Sequence, residues 1–535
     1  MSKALLSSKI VVNEEEPRLR SVPALRTAVW AVSGVTERGP HETTLIQSYE
    51  EYVRYFGGYT TDAKDVPAAV QGYFENGGEF CYVTRIVHYS DVTSKTSMTS
   101  VAATVDLEDR DGTPEDTLRV TAKSDGTWGN SLRIDITAAT SGSSSEFNLI
   151  VKNSVGVTLE TWANLSMVDA NERYVETIIN NAVTGSRYIV VTDLDSGSTA
   201  PADMPALQTS TALTTGDDGL TSLADTDFLG SEAGGTGLWR TAEIPDITLV
   251  SVPGRTSSTV ANGILTHLLA RDGEMFAMAV LDPPANTTAS GMVTYVKSTA
   301  ALYNLDERLC IFWPRLKVTN PNKTVYGVGD TITVPPCGHV AGVMARTDNQ
   351  RPGGVYQPPA GVERGIIRGA RGLEMTEVTS ERKRDLVYPA NINPITTGPG
   401  YPIHIDGHRT LKTNGNFPSI SERRGVFFIE ASIKEAVQFA RHSNNDAALR
   451  ATVERTIEQF LLQQMQVGAF RTQNPETAFF VDVGEGLNDL ATQRAGILKV
   501  RVGLATQSPI DYVILSFSQD LSAANNAEAQ AAQVG

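Results

Sequence analysis

Ile247-Thr-Leu-Val-Ser-Val252, Ser258 to Arg271, Met275 to Leu281, Val293 to Tyr303 and Arg308 to Trp313 are the stretches that decide the fold. They alternate between short apolar runs and segments with helical spacing. Pro253-Gly254 ends the first run and Asp282-Pro-Pro284 the second, each a turn signal at the end of a strand. Strand, helix, strand, helix, strand in that order predicts a parallel αβ sheet.

Working outward, an earlier αβ piece precedes this core. Ala28-Val-Trp-Ala-Val32 reads as a buried strand. Tyr49 to Phe56 has helical spacing and stops at Gly57-Gly58. Val66 to Phe74 predicts a second helix, with Pro67 in its first turn and Asn76-Gly-Gly78 as its stop. Phe80 to Val87 follows as a strand.

Between about Ser90 and Gly235, Thr, Ser, Asp and Gly become abundant and short alternating strands appear, among them Leu132–Ile136 and Phe147–Val151. A helix from about Asn171 to Asn181 interrupts them. Residues 318–400 are rich in Gly and Pro and read as loops with short strands. Further on, Val426-Phe-Phe-Ile-Glu430 reads as a strand. Asp446 to Val467 predicts a helix with the stripe Leu449, Val453, Ile457, Phe460 and Leu461, capped by Ser443 or Asn445 and ended by Gly468. Strands are expected at 478–483, 497–504 and 512–517, and a mobile tail from Ser522.

The expected class is α/β and α+β multidomain: an αβ core with a mixed sheet, an inserted β-rich peripheral domain, and extended terminal arms. The divisions are 1–20 (N-terminal arm), 21–89 (first part of the core), 90–235 (insertion), 236–404 (αβ core), 405–520 (C-terminal domain) and 521–535 (tail). Two β-prone runs lie at the ends, Ile10-Val11-Val12 and Tyr512-Val513-Ile514-Leu515-Ser516-Phe517. A lone strand is not stable in water, so Ile10–Val12 must join a sheet edge in its own chain or another. Tyr512–Phe517 reads either as the last strand of its own sheet or as a strand added to a neighbour's.

The chain has 535 residues and a formal charge of -16. Such acidity repels phosphate backbones and argues against direct nucleic-acid binding. No run of about 20 apolar residues predicts a membrane span. The first residues lack a signal peptide's apolar core, so synthesis in a cytoplasm is expected. Three cysteines cannot build a disulfide framework. Cys81 and Cys310 sit in apolar runs and read as buried thiols, and Cys337 as a loop residue.

A search for chemistry finds no P-loop, no G-x-S-x-G elbow and no H-E-x-x-H. His404 and His408 are four apart, but Pro402 and Gly407 argue against the helix that would align them on a metal. Asp282 and Asp348 lie near predicted strand ends, without a partner base. No catalytic, cofactor or metal site is expected. Arg346, Arg409, Arg423 and Arg424 read as carboxylate binders, inside the fold or across an interface.

These pieces resemble the tail sheath proteins of contractile-tailed bacteriophages. The resemblance rests on Gly34, Gly39-Pro40 and Tyr49–Gly57; on Tyr73-Phe-Glu-Asn-Gly-Gly78, Cys81-Tyr-Val83 and Arg85; and on Gly126-Thr-Trp-Gly-Asn130 and Gly216-Asp-Asp-Gly219. It continues through Pro335-Pro336, Gly338, Ala341-Gly342, Ala345-Arg346 with Asp348, Pro359-Ala-Gly361, Asn391-Ile-Asn393, Arg409-Thr-Leu411 and Arg423-Arg424. The chain departs from the family at Cys337, where a small Ser is usual, at the long Arg351–Gly354, and at Ile405-Asp-Gly407, where a Trp is common. The resemblance implies a non-enzymatic assembly subunit of the virion. Such subunits stack as hexameric rings around a tail tube, meet baseplate and terminator proteins, and contract to drive the tube through a host envelope. It also implies that the C-terminal domain faces the tube, where Arg494, Lys499 and Arg501 are the candidate contacts. A bacteriocin or secretion-machine sheath and a soluble αβ hydrolase are the rival readings.

Overall fold

In the computed structural model, residues 26–350 and 353–510 are described. Eight strands form the central sheet: β1 (Trp30–Gly34), β2 (Thr44–Ile46), β3 (Cys81–Arg85), β4 (Leu249–Ser251), β5 (Met278–Leu281), β6 (Leu309–Trp313), β7 (Asn393–Gly398) and β8 (Tyr401–Ile405). Their order is β8-β7-β6-β5-β4-β1-β3-β2. The six inner strands are parallel, and β8 and β2 run antiparallel at the two edges. Every residue of β1, β5 and β6 is buried. That is the pattern of parallel strands covered on both faces, and it is why these segments read as unbroken apolar runs. Trp30 and Trp313 are fully buried, and their indole N–H groups donate to Ser251 Oγ (3.1 Å) and Thr287 O (2.9 Å).

Helix Asp65–Glu75 crosses helix Cys337–Asn349 at very close range. The contact depends on missing side chains: a Cβ on Gly338 would run into the Ala69 carbonyl, and one on Gly342 into the Tyr73 carbonyl. Loops and short strands were expected across 318–400, with Cys337 in a loop. Instead Cys337 is buried in the first turn of this 13-residue helix. Two glycines lower its intrinsic propensity, and packing against its neighbour supplies the stability that propensity does not. A three-stranded antiparallel sheet (Leu316–Thr319, Thr331–Val334, Ala370–Leu373) flanks it.

Between β3 and β4 the chain builds a separate hydrophobic cluster from residues 103–213. It lies between a four-stranded sheet (Arg133–Ala138, Phe147–Lys152, Thr158–Leu165, Gln208–Ala212) and a three-stranded one (Thr104–Glu108, Asp116–Ala122, Ile189–Asp193), both antiparallel. The expected helix 171–181 shrinks to Val175–Ile179. Asn171 Oδ1 accepts from Arg173 N at 2.8 Å, and Ser166 bridges Tyr174, so the first turn forms a local loop instead. Buried Arg85 joins this unit to the core, donating to Gly39 O (3.1 Å) and Asp125 O (3.0 Å).

Val426–Glu430, expected as a strand, lies inside helix Ile420–Ala436. A four-residue apolar run cannot by itself separate strand from helix. The deciding signal is Ser419-Ile-Ser-Glu422, a capping box in which Glu422 Oε2 accepts from Ser419 N at 3.2 Å. Helix Ala447–Val467 forms as its stripe predicts, with Val453, Ile457, Phe460 and Leu461 buried. Its cap is Asp446, which accepts from Leu449 N at 2.7 Å, rather than Ser443 or Asn445. Gly468 ends the helix at φ 95°. A two-stranded sheet, Phe479–Asp482 with Arg501–Leu504, packs against this helix. The expected arm strands Ile10, Val11, Val12 and Val513, Ile514, Leu515, with the tail, lie outside the described residues.

Candidate functional site

The arginines singled out in the sequence meet partners inside the chain. Arg424, at the start of helix Ile420–Ala436, grips Asp348 with both nitrogens, at 2.9 and 2.6 Å. Both side chains are almost fully buried, and Arg424 also donates to Thr27 O at 2.8 Å. The planar fork matches the carboxylate. One contact thus ties the C-terminal helix, helix Cys337–Asn349 and the entry to β1. Arg346 donates to Asn76 O (3.1 Å) and Arg364 O (3.0 Å), and burial lowers its pKa. Arg423 lies over the Phe427 ring at 3.9 Å and beside Glu307 at 3.5 Å.

Asparagines do similar work. Asn393 donates to Ile311 O (3.1 Å) and Arg409 O (2.8 Å) and accepts from Arg409 N (2.7 Å). Asn391, in the left-handed region at φ 61°, donates to Leu411 O and accepts from Thr413 Oγ1, both at 3.0 Å. Asn-Ile-Asn and Arg-Thr-Leu are therefore two halves of one clamp closing the 409–413 loop onto β6. Arg409 covers the Tyr388 ring at 3.9 Å.

Asp282 ends β5 and is fully buried. Its two oxygens accept from Gly254 N and Cys337 N, each at 3.0 Å, and burial pushes its pKa up to about 6. Its carboxylate occupies the crevice at the strand ends, where αβ enzymes hold ligands. Burial, reinforced by Asp282, pushes the Cys337 thiol well up, and the other two thiols are likewise buried, raised and free of disulfides. A thiol so raised is a poor nucleophile. Burial depresses His267 and His339 to about 4, which keeps both neutral. His404 Nδ1 lies 2.9 Å from Pro402 O, and His408 Nδ1 lies 3.3 Å from Ser419 Oγ. Among the described residues no group of three or more His, Cys, Asp or Glu is placed to hold a metal, and no helix is long and apolar enough to cross a membrane.

The basic residues named in the sequence lie in the C-terminal unit. Arg494, Lys499 and Arg501 are all exposed there. Arg494 ends the short helix Leu490–Arg494, and Arg501 opens a strand opposite Asp482. Lys499 is positioned by its backbone, through buried Asn488, which accepts from Lys499 N (2.7 Å) and donates to Lys499 O (2.8 Å). In the sheet that carries Arg501, neither strand has a second ladder partner among the described residues. Phe480 on its other strand is half-exposed. An unpaired edge of this kind is a template for a further strand. Sequence reasoning named the basic residues; it did not foresee edges left unpaired among the described residues.

No family model matches the chain, and no curated protein does. Solved structures do. The sheath of the anti-feeding prophage, seen as a contracted helical assembly, is 17% identical with a TM-score of 0.56, covering 97% of this chain and 100% of its own. The sheath of an extracellular contractile injection system, PVC, is 19% identical at a TM-score of 0.55 with the same coverage. A sheath tail protein from Desulfitobacterium hafniense is 13% identical at 0.57, covering 89% of this chain and 93% of its own.

The chain has the contractile-sheath fold. Within it, Arg346, Asp348, Asn391, Asn393, Arg409, Arg423 and Arg424 act as internal clamps on the core.

Proposed function

We propose that the chain is the structural subunit of a contractile phage tail sheath, without catalytic activity. Subunits stack as hexameric rings around a tail tube, dock on a baseplate and terminator, and contract to push the tube through a host envelope. The observation that carries this reading is the correspondence with sheath chains over 97% of its length, insertion and C-terminal unit included. In this reading the C-terminal domain faces the tube through Arg494, Lys499 and Arg501, and the insertion faces outward. Ile10–Val12 and Val513–Leu515 leave for neighbouring subunits, and the edges of the Phe479–Asp482 and Arg501–Leu504 sheet that are unpaired among the described residues receive them by strand addition. Subunits so joined can rotate without separating.

A second reading is favoured by two of the neighbours, which come from an anti-feeding prophage and an extracellular injection system. The chain would then sheathe a phage-derived machine that carries no genome. Capsid and terminase genes beside this one identify a phage, and their absence identifies the machine. Negative-stain microscopy of the concentrated protein tests both readings. Rings or tubes are expected; a strict monomer at every concentration and salt overturns the sheath assignment.

A further inference from the structure

Where the chain enters β1, β4 and β5, helix Ile420–Ala436 meets the core and leaves an open groove of about 450 Å3. Thr27, Ile247 and Phe276, each just ahead of one of the three strands, line it from the core. Phe427, Phe428 and Ala431 line it from the helix. The Phe276 and Phe427 rings lie 6.3 Å apart, and Phe276 and Phe428 are only half-buried.

Arg424 lines the same groove. Its two terminal nitrogens hold Asp348, but its Nε is buried without a hydrogen-bond partner. A buried donor left unpaired is costly and calls for an acceptor. Arg26, the first described residue, is also part of the lining, and 25 residues precede it. The stretch just before it reads Arg18-Leu-Arg-Ser-Val-Pro-Ala-Leu25. Leu19, Val22 and Leu25 are apolar, and Pro23 biases Val22 towards extended backbone. Extended, these eight residues reach up to about 28 Å, enough to run along the groove. The stretch carries two arginines and no acid, whereas the groove's rim holds exposed Asp246, Glu274 and Glu435 against Lys434.

We propose that residues 18–25 dock in this groove of their own chain. Leu19, Val22 and Leu25 cover the Phe276 and Phe428 rings, Arg18 and Arg20 face the acidic rim, and a backbone carbonyl of the segment accepts from Arg424 Nε. Removal of apolar surface from water on both partners drives the docking, and the opposite charges at the rim orient it. The docked segment fixes the point from which residues 1–17 leave the subunit. Docking is a property of the single chain and holds whether or not subunits assemble.

Disulfide trapping in the full-length protein tests this. Leu19→Cys, Val22→Cys or Leu25→Cys is combined in turn with Ala431→Cys. The native thiols Cys81, Cys310 and Cys337 are all buried and do not compete. A bond can close only when the two Cα atoms come within about 7 Å. An equal mixture of isotope-labelled and unlabelled chains is oxidised mildly, digested and read by mass spectrometry. At least one of the three pairs should link within a single chain. The link should be lost when Val328→Cys, at an exposed loop position between two strands of the flanking sheet, replaces Ala431→Cys. Should Ala431→Cys fail to fold, Lys434→Cys, at an exposed position of the same groove, takes its place. Links that join labelled to unlabelled peptides give the groove to a second copy and overturn docking within one chain. No link from any pair, or equal linkage to Val328→Cys, overturns the proposal outright.

Discussion

Arg424 and Asp348 come from segments 76 residues apart, and each is nearly inaccessible to water. Removing one partner strands a buried charge, at a cost of about 3–5 kcal/mol. Arg424→Ala should therefore lower the urea unfolding midpoint sharply. Arg424→Lys should recover only part of the loss, since an ammonium cannot make the paired contact. Equal stability of both variants and the wild type would show that the pair contributes nothing. Asp282 sets a pH dependence of unusual sign. Its folded pKa, about 6, lies above the ordinary 3.8, so the folded state takes up the proton first. Its contribution to stability therefore grows as pH falls from 7 through 6 towards 4, by up to about 3 kcal/mol. His267 and His339, depressed to about 4, act oppositely: their contribution is present above the ordinary 6.5 and is lost as pH falls towards 4. Subtracting an Asp282→Asn variant cancels the histidines. The wild-type advantage over that variant should widen between pH 7 and 4; a constant difference would mean that Asp282 does not titrate in this range. The arginines were legible as carboxylate binders from their type, which Arg424 is with Asp348, whereas Arg346 takes backbone carbonyls instead. Which partner each takes was not, because Asp348 and Thr27 reach Arg424 only through the tertiary fold.

The helix Cys337–Asn349 shows what local pattern leaves out. Gly338 and Gly342 weaken its propensity and admit the backbone of helix Asp65–Glu75. Gly338→Ala puts a methyl group against the Ala69 carbonyl and should cost roughly 2–3 kcal/mol. A thermal midpoint unchanged by circular dichroism would show that the crossing relaxes freely. Ala447–Val467 was legible because its long stripe matches one geometry, and β1 and β6 because glycine and proline turn signals bound their short apolar runs. Val426–Glu430 was misread because four apolar residues suit either state; its capping box was the better witness.

The insertion's own cluster spans 103–213, whereas Phe228, inside the expected 90–235 division, packs in the main core. Val101 and Asp217 exchange two backbone hydrogen bonds at 2.9 Å, which makes a natural point of excision. Replacing residues 102–216 by a short linker should leave a folded core that still assembles; aggregation of the shortened chain would show that the insertion is integral. Deleting residues 1–16 should leave the circular dichroism per residue unchanged yet prevent long tubes. Normal contractile tubes from that variant would refute exchange through the N-terminal arm. By itself the sequence determined the parallel αβ core, the β-rich insertion after β3, the acidic surface and the long C-terminal helix. Each of these follows from composition or periodicity read over neighbouring residues. Only the tertiary structure decided that β4 lies beside β1, that the Asn-Ile-Asn and Arg-Thr-Leu motifs close on each other, and that the C-terminal sheet has two strands among the described residues. Those features depend on contacts between residues far apart in the chain, and local pattern carries no information about which distant segment arrives.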